Sequence, residues 1–255
     1  MVVGIHKTDI VFSNTWLFKR RQKKVFKHVD IFAFRSESIK KYFFNSFKGF
    51  LSTRNFIANS GVPEQIILKD KEKSLTTVKR ILYVGTLIDR KNADKLLIAL
   101  SKVKEPYQLT IIGEGYNKNK LIELCELLGI KENVQFLGRI KRESVFLEME
   151  KHDFFVLPSV KETFGLVYLE AMAKGLIVIG MKGWGIDGVV VDGENGFLCK
   201  DDSQEKISQK VIQVLNLTYQ EQQLIVENSL RSIKKYTDKN VANKYLENIS
   251  STLRS

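Results

Sequence analysis

From Lys79 onward the chain alternates short apolar runs with helical patterns, and this alternation leaves few folds open. KRILYVG, YQLTIIG, NVQFLG, DFFVLP and GLIVIG are brief and rich in strand-forming residues. Between them lie ADKLLIALSKV, KNKLIELCELLG, ESVFLEMEK and GLVYLEAMAKG, and in the first of these Leu96, Leu97 and Leu100 share one helical face. Strands that are apolar on both sides, separated by helices, predict a parallel sheet covered on both faces. Crossovers in such a sheet are right-handed, and its ligands bind beyond the carboxyl ends of the strands. Three further helical stretches, near 203–215, 219–234 and 239–250, close the chain.

The first 78 residues read differently. VDIFAFR predicts a strand, and SESIKKYFFNSFK a helix capped by Ser36. RNFIANSG returns as a strand and ends in the turn Gly61-Val62-Pro63. These are one or two α/β units, too few for an independent doubly wound domain. The polar stretch KDKEKSLTT, residues 69–77, is the expected linker. The expected organisation is therefore a partial second α/β domain with linker over 1–78, a ligand-binding domain over 79–215, and C-terminal helices over 216–255.

A hydrophobic fraction of 44% over 255 residues allows a packed core. Cys125 and Cys199 stand far apart, with no Cys/His cluster, which excludes a familiar zinc site and a disulfide framework. A reducing compartment fits this usage. The opening MVVGIHKTDIVFSN lacks the apolar run of a signal peptide, and FFVLP and GLIVIGM are too short to span a membrane. The expected location is the cytoplasm. The net charge of +12 is uneven: residues 1–60 hold twelve Lys or Arg against three Asp or Glu, and twelve of the aromatic residues. Such a segment suits an anionic membrane surface, a nucleic acid or an absent partner domain. Candidates for lipid contact are Lys19, Arg20, Arg21, Lys23, Lys24 and Lys27, then Lys40 and Lys41 beside Tyr42, Phe43 and Phe44.

The segment that carries chemistry is LPSVKETFGLVYLEAMAKGLIVIG, residues 157–180. A strand ending at Leu157 gives way to a loop and to a helix predicted to begin near Thr163 or Phe164. Gly165 lets a ligand approach the backbone closely. The amides of Thr163, Phe164, Gly165 and Leu166, with the positive helix end, make an anion site. Glu162 sits at the loop tip and Glu170 eight residues on, a helical rise of roughly 12 Å. One carboxylate can hold sugar hydroxyls and the other ribose hydroxyls, because a carboxylate accepts two hydrogen bonds from a vicinal diol. A diphosphate would lie on the amides between them.

This whole string resembles the signature of the family 4 retaining glycosyltransferases, whose common form reads PS..E.FG....EAMA.G.PV. VGTLIDRKN, residues 84–92, resembles that family's GRL...KG turn, with Gly85 in place and Lys91 at the lysine that neutralises the diphosphate. Thr86 stands where the family has arginine, and Arg90 is positioned to supply that charge. IIGEG, with Gly113, resembles the turn after the second strand. NVQFLGRI resembles the strand and loop that contact the nucleobase, implying a role for the backbone at Gly138, Arg139 and Ile140. MKGWGIDGVVVDGENGFLC resembles the Gly-rich loop. Gly188 occupies the family's acid position there, with Asp187 adjacent. HVDIFAFRSESIKKYF and FIANSGVP resemble the end of the acceptor-binding domain. The family's N-terminal Gly-rich loop is absent, and His6, His28 and His152 match no acceptor-side histidine.

The resemblance implies a GT-B fold, here a Rossmann-like donor-binding domain with a parallel sheet, preceded by a truncated part of a second α/β domain. It implies transfer from a UDP- or GDP-sugar to a saccharide or lipid-linked hydroxyl, with retention, in cell-surface polysaccharide or glycolipid synthesis. Glu162 and Lys91 are the expected catalytic pair, with no cofactor and no metal. The donor-binding residues implied are Gly85, Thr86, Arg90, Lys91, Gly113, Gly138, Arg139, Glu162, Thr163, Phe164, Gly165, Leu166 and Glu170. The basic segment would hold the protein peripherally on the inner face of the membrane. One alternative is a donor-binding subunit whose partner chain supplies the acceptor side. The other, a basic nucleic-acid-binding protein, has no helix-turn-helix, RNP-like or zinc motif behind it.

Overall fold

The computed structural model describes residues 1–5, 16–50, 54–69 and 78–254. Two parallel sheets organise them. The first holds β1 (Val2–Ile5), β2 (Ile31–Phe34) and β3 (Arg54–Ile57) in the order β1-β2-β3. Two helices connect them, α1 (Trp16–Phe26) and α2 (Glu37–Ser46). Strand alternation splits the central β2 between two cores. Phe32 and Phe34 meet Phe26, Phe43, Phe44 and Phe47, whereas Ile31 and Ala33 meet Phe56 and Ala58 on the other face. The expected cap forms, since the Ser36 hydroxyl accepts the Ile39 N–H at 3.3 Å. The strand Val2–Ile5 and the helix Trp16–Phe26 were not foreseen from VVGI and the basic run.

One expectation for this region changes. Phe43 and Phe44 are buried and add nothing to a membrane contact. The helical spacing of Ile39, Phe43 and Phe47 turns them onto the sheet, where the Phe32 and Phe43 ring centroids lie 4.9 Å apart. Tyr42, on the opposite face, is exposed. Most of the linker, residues 70–77, lies outside the described residues.

The second sheet holds β4 (Lys79–Val84), β5 (Tyr107–Ile112), β6 (Val134–Gly138), β7 (Phe154–Val156), β8 (Ile177–Met181) and β9 (Phe197–Cys199). All pairings are parallel, in the order β6-β5-β4-β7-β8-β9. The chain thus runs outward from β4 in one direction, returns to β7 beside β4, and runs outward in the other. Such a reversal opens a crevice between the two strands at their carboxyl ends. The strand β9 was not foreseen, because FLC is too short to signal by pattern.

Helices α3 (Ala93–Leu100), α4 (Lys118–Leu127), α5 (Arg142–Lys151), α6 (Leu166–Ala173) and α7 (Gln204–Leu215) flank this sheet at the expected places. Helix α8 (Tyr219–Ile233) starts with a Thr218/Glu221 capping box. It adds Ile225, Val226, Leu230 and Ile233 to the same core as the sheet. Helix α9 (Asp238–Arg254) instead turns back to the first sheet, where Tyr245 meets Phe56 at 5.4 Å between ring centroids. The helices grouped over 216–255 therefore serve two different cores. At the crossing, Val62 N–H donates to the Tyr236 carbonyl and Asp238 N–H to the Val62 carbonyl, each at 2.9 Å. Among the described residues no helix is long and apolar enough to cross a membrane.

Candidate functional site

The site forms where β4 and β7 lie side by side. After β4 the chain makes a short turn, Asp89–Lys91, and Asn92 follows in a left-handed conformation (φ 51°). The Asn92 side-chain amide donates to the Pro158 carbonyl at 2.7 Å, tying this turn to the loop after β7. Val160 N–H donates to the Arg90 carbonyl at 2.9 Å and closes the junction.

Lys91 and Glu162 meet across it, with Nζ 2.6 Å from Oε2. The Ser159 hydroxyl donates to the same oxygen at 2.9 Å, and Arg90 Nη1 stands 3.7 Å away. Only 10% of the Lys91 side chain and 18% of that of Glu162 are exposed. Burial pushes the Glu162 carboxyl up, but the Lys91 charge, the hydrogen bonds from Lys91 and Ser159, and Arg90 outweigh it. The carboxyl is held below its ordinary range and stays ionised at neutral pH. Arg90, the expected stand-in for the charge missing at Thr86, thus lies beside Glu162, while Thr86 is exposed just beyond β4.

The helix after this loop starts later than expected. It begins at Leu166, with Gly165 as its N-cap at φ 81°. A left-handed residue cannot continue a right-handed helix, so Thr163, Phe164 and Gly165 stay outside it. A Cβ on Gly165 would also stand 2.6 Å from the Tyr168 ring. Phe164 is buried, and the Thr163 carbonyl accepts a hydrogen bond from Ser36 Oγ at 2.7 Å. The helical rise calculated between Glu162 and Glu170 does not apply, because half of that segment is loop. Of the four expected amides, only that of Leu166 belongs to the helix.

Glu170 is buried on α6 and carries a partner that the sequence did not reveal. Arg142, the first residue of α5, donates to its Oε1 from both Nε, at 3.0 Å, and Nη2. Nothing local signalled this, because the two residues lie on separate helices 28 positions apart.

Gly85, Gly113 and Gly138 lie together at the carboxyl ends of β4, β5 and β6. Gly85 N–H donates to Ile112 at 2.9 Å, and Gly113 N–H to Gly138 at 2.8 Å. The backbones pass so close that a Cβ on Gly113 would sit 1.9 Å from the Gly85 carbonyl oxygen. Above them opens a cleft of about 380 Å³, whose lining includes Thr86, Glu114, Arg139 and Ile140. A second cleft, of about 440 Å³, separates α2 from the Gly-rich loop. Glu37, Lys41, Tyr42 and Asn45 face Trp184 and Asp187 there. Asp187 accepts the Gly183 N–H at 2.7 Å, so its carboxylate braces its own loop. Gly185 N–H in turn donates to the Glu162 carbonyl at 3.1 Å.

The remaining candidates lie elsewhere. His152 is buried before β7, with Nδ1 2.6 Å from the Glu148 carbonyl and Nε2 2.9 Å from the Thr110 hydroxyl. His28 is exposed, and His6 lies outside the described residues. Cys125 and Cys199 are free and buried.

A sequence profile of the family described as "Glycosyl transferases group 1" matches residues 64–232, the whole second sheet with the helices around it. This chain belongs to the group 1 glycosyltransferases. Among the relatives of this group 1 glycosyltransferase is N-acetyl-alpha-D-glucosaminyl L-malate synthase of Bacillus anthracis. It is 31% identical over 57% of this chain and 38% of its own length. Alpha-monoglucosyldiacylglycerol synthase of Streptococcus pneumoniae is 35% identical over 44% of this chain and 25% of its own. The chain spans about half, or less, of the length of the curated relatives it matches. In three dimensions it is similar to Anabaena Alr3699/HepE solved in complex with UDP, with a TM-score of 0.83 at 18% identity. That alignment covers 98% of this chain and 72% of the other, and shows a shared GT-B fold.

Proposed function

We propose that this group 1 glycosyltransferase acts as a family 4 member, moving a sugar from a nucleoside-diphosphate sugar to an acceptor hydroxyl with retention at the anomeric carbon. The observation that carries this is the meeting of Lys91 and Glu162 at the switch point, with Glu170 further along α6. In this reading the diphosphate lies against Lys91, Arg90 and the start of α6, which stabilise the charge that grows on it as the sugar leaves. The acceptor oxygen bonds to the anomeric carbon on the face from which the diphosphate departs, and the departing diphosphate takes the acceptor's proton. Glu162 holds sugar hydroxyls and Glu170 ribose hydroxyls, while the base enters the cleft beside Arg139 and Ile140. Basic side chains and amides do the electrostatic work, so no metal or cofactor is invoked. UDP is the first nucleotide to test, since HepE was solved with UDP and with UDP-glucose; GDP is the second.

The cleft between α2 and the Gly-rich loop supports a saccharide acceptor, bare or lipid-linked. Carboxylates at Glu37 and Asp187 and the rings of Tyr42 and Trp184 suit sugar hydroxyls and sugar faces. A lipid-linked acceptor and a glycolipid or polysaccharide setting draw further support from two relatives. One makes a glucosyldiacylglycerol, and the other, LpsE of Rhizobium meliloti, acts in lipopolysaccharide core biosynthesis.

Calorimetry with UDP, GDP and UDP-glucose tests the assignment of the two carboxylates. Glu170→Ala should weaken the nucleoside diphosphate by about 10- to 100-fold, the loss of a charge-assisted hydrogen bond, and Glu162→Ala should weaken mainly the intact sugar nucleotide. Unchanged UDP and GDP binding in both variants would remove Glu170 from the donor site.

A further inference from the structure

Arg142 has no role in the donor-site pattern, yet its guanidinium is held from two sides. Nε and Nη2 both reach Oε1 of Glu170, and the Phe146 ring, one helical turn on, lies 5.5 Å beneath it. A cation over an aromatic face at this distance is attracted to it. The Arg142 side chain is 57% exposed and that of Glu170 only 10%, so the guanidinium meets solvent while the carboxylate lies largely covered. Each carboxylate oxygen offers two acceptor positions. Arg142 fills both on Oε1, and among the described residues no donor reaches Oε2. One oxygen is therefore occupied and the other keeps two open positions, the number a vicinal diol requires.

We propose that Arg142 is a positioning residue for the donor: by holding Oε1 it fixes the Glu170 carboxylate so that Oε2 is left to take the ribose diol. The inference rests on the proposed function, in which Glu170 meets the ribose. Fixing the carboxylate before binding removes the rotamer freedom that binding would otherwise cost. Lysine cannot reproduce the arrangement, since its single nitrogen lacks the planar fork that sends two N–H groups to one oxygen.

Binding of UDP and of 2′,3′-dideoxy-UDP, with the guanosine pair in parallel, to wild type, Glu170→Gln, Arg142→Ala and Arg142→Lys decides the matter. Arg142→Ala should weaken UDP by about tenfold, on the scale of one charge-assisted hydrogen bond, and leave the dideoxy nucleotide unchanged. Arg142→Lys should restore only part of the loss. In a double-mutant cycle, Arg142→Ala should cost little once Glu170 is Gln. A merely structural arginine would weaken both nucleotides alike, which overturns the proposal. So would tighter UDP binding by Arg142→Ala, the mark of an arginine that competes with ribose. If Glu170→Gln weakens UDP and Arg142→Ala does not, the positioning role alone fails. If Glu170→Gln changes nothing, or wild type binds neither nucleotide, the ribose-binding reading fails and the positioning role with it.

Discussion

Lys91 Nζ lies 2.6 Å from Glu162 Oε2 although 71 residues separate them, because β4 and β7 are neighbours only through the reversal of strand order. Both side chains are largely buried, and the Lys91 charge offsets the cost of burying the Glu162 carboxylate. Lys91→Met should cost about 2–3 kcal/mol of stability by leaving the buried carboxylate only Ser159 and the more distant Arg90 to offset its charge. The double variant Lys91→Met/Glu162→Gln should recover part of that loss. Denaturant titrations of wild type and the two variants measure it, and a double variant no more stable than Lys91→Met would show that the pair is not coupled.

Donor binding should register as thermal stabilisation. A ligand that binds only the folded state adds RT ln(1 + [L]/Kd), or roughly 2.7 kcal/mol at a hundredfold excess. UDP or GDP should therefore raise the melting temperature of the purified chain. A flat response to every common nucleoside diphosphate would sink the donor-site reading.

Stability should fall as pH drops below the ordinary histidine value of 6.5. Burial holds the His152 imidazole below that value against the smaller opposing pull of Glu148 and Asp153. The unfolded chain then takes up a proton that the folded chain refuses, so stability declines with falling pH until the folded value is passed. His152→Gln should abolish this slope in denaturant titrations between pH 8 and pH 5, a range of about that width being where an imidazole titrates. A slope that persists unchanged would place the titrating group elsewhere.

Gly113→Ala should destabilise the protein by about 2 kcal/mol or more and weaken nucleotide binding with it. The residue has φ 147°, and a Cβ would meet the Gly85 carbonyl at 1.9 Å. The ends of β4 and β5 beneath the cleft of about 380 Å³ would have to part. Wild-type melting and binding in this variant would contradict the close approach.

The exposed basic residues of the first unit, Arg20, Arg21, Lys23, Lys24 and Lys27, should bring the protein to anionic vesicles, each contributing about 1 kcal/mol at low salt. Because Phe43 and Phe44 are in the core, neutral vesicles should not bind. Sedimentation with both vesicle types across a salt series checks this, and equal binding to neutral lipid would exclude an electrostatic anchor.

The sequence by itself determined the parallel sheet, the helices between its strands, and the residues of the donor signature. Those features are local: apolar runs, helical spacing, the Ser36 cap, and glycines whose neighbours in sequence define the motif. Through resemblance it also put Glu162 and Lys91 forward together, with Arg90, beside Lys91, as a stand-in for the arginine that Thr86 replaces. Tertiary structure alone decided which carboxylate oxygen Lys91 meets, that Glu170 is held by Arg142, and that Ser36 bonds the Thr163 carbonyl across the two units. It also decided that the aromatic residues near the basic run form a core, and that the last helix packs on the first sheet. Each depends on which surfaces meet after the strands order themselves, and pairing between distant positions leaves no periodic trace in the chain. Even the start of α6 followed this rule. Pattern placed it at Thr163 or Phe164, and the left-handed backbone of Gly165, braced by Tyr168, moved it to Leu166.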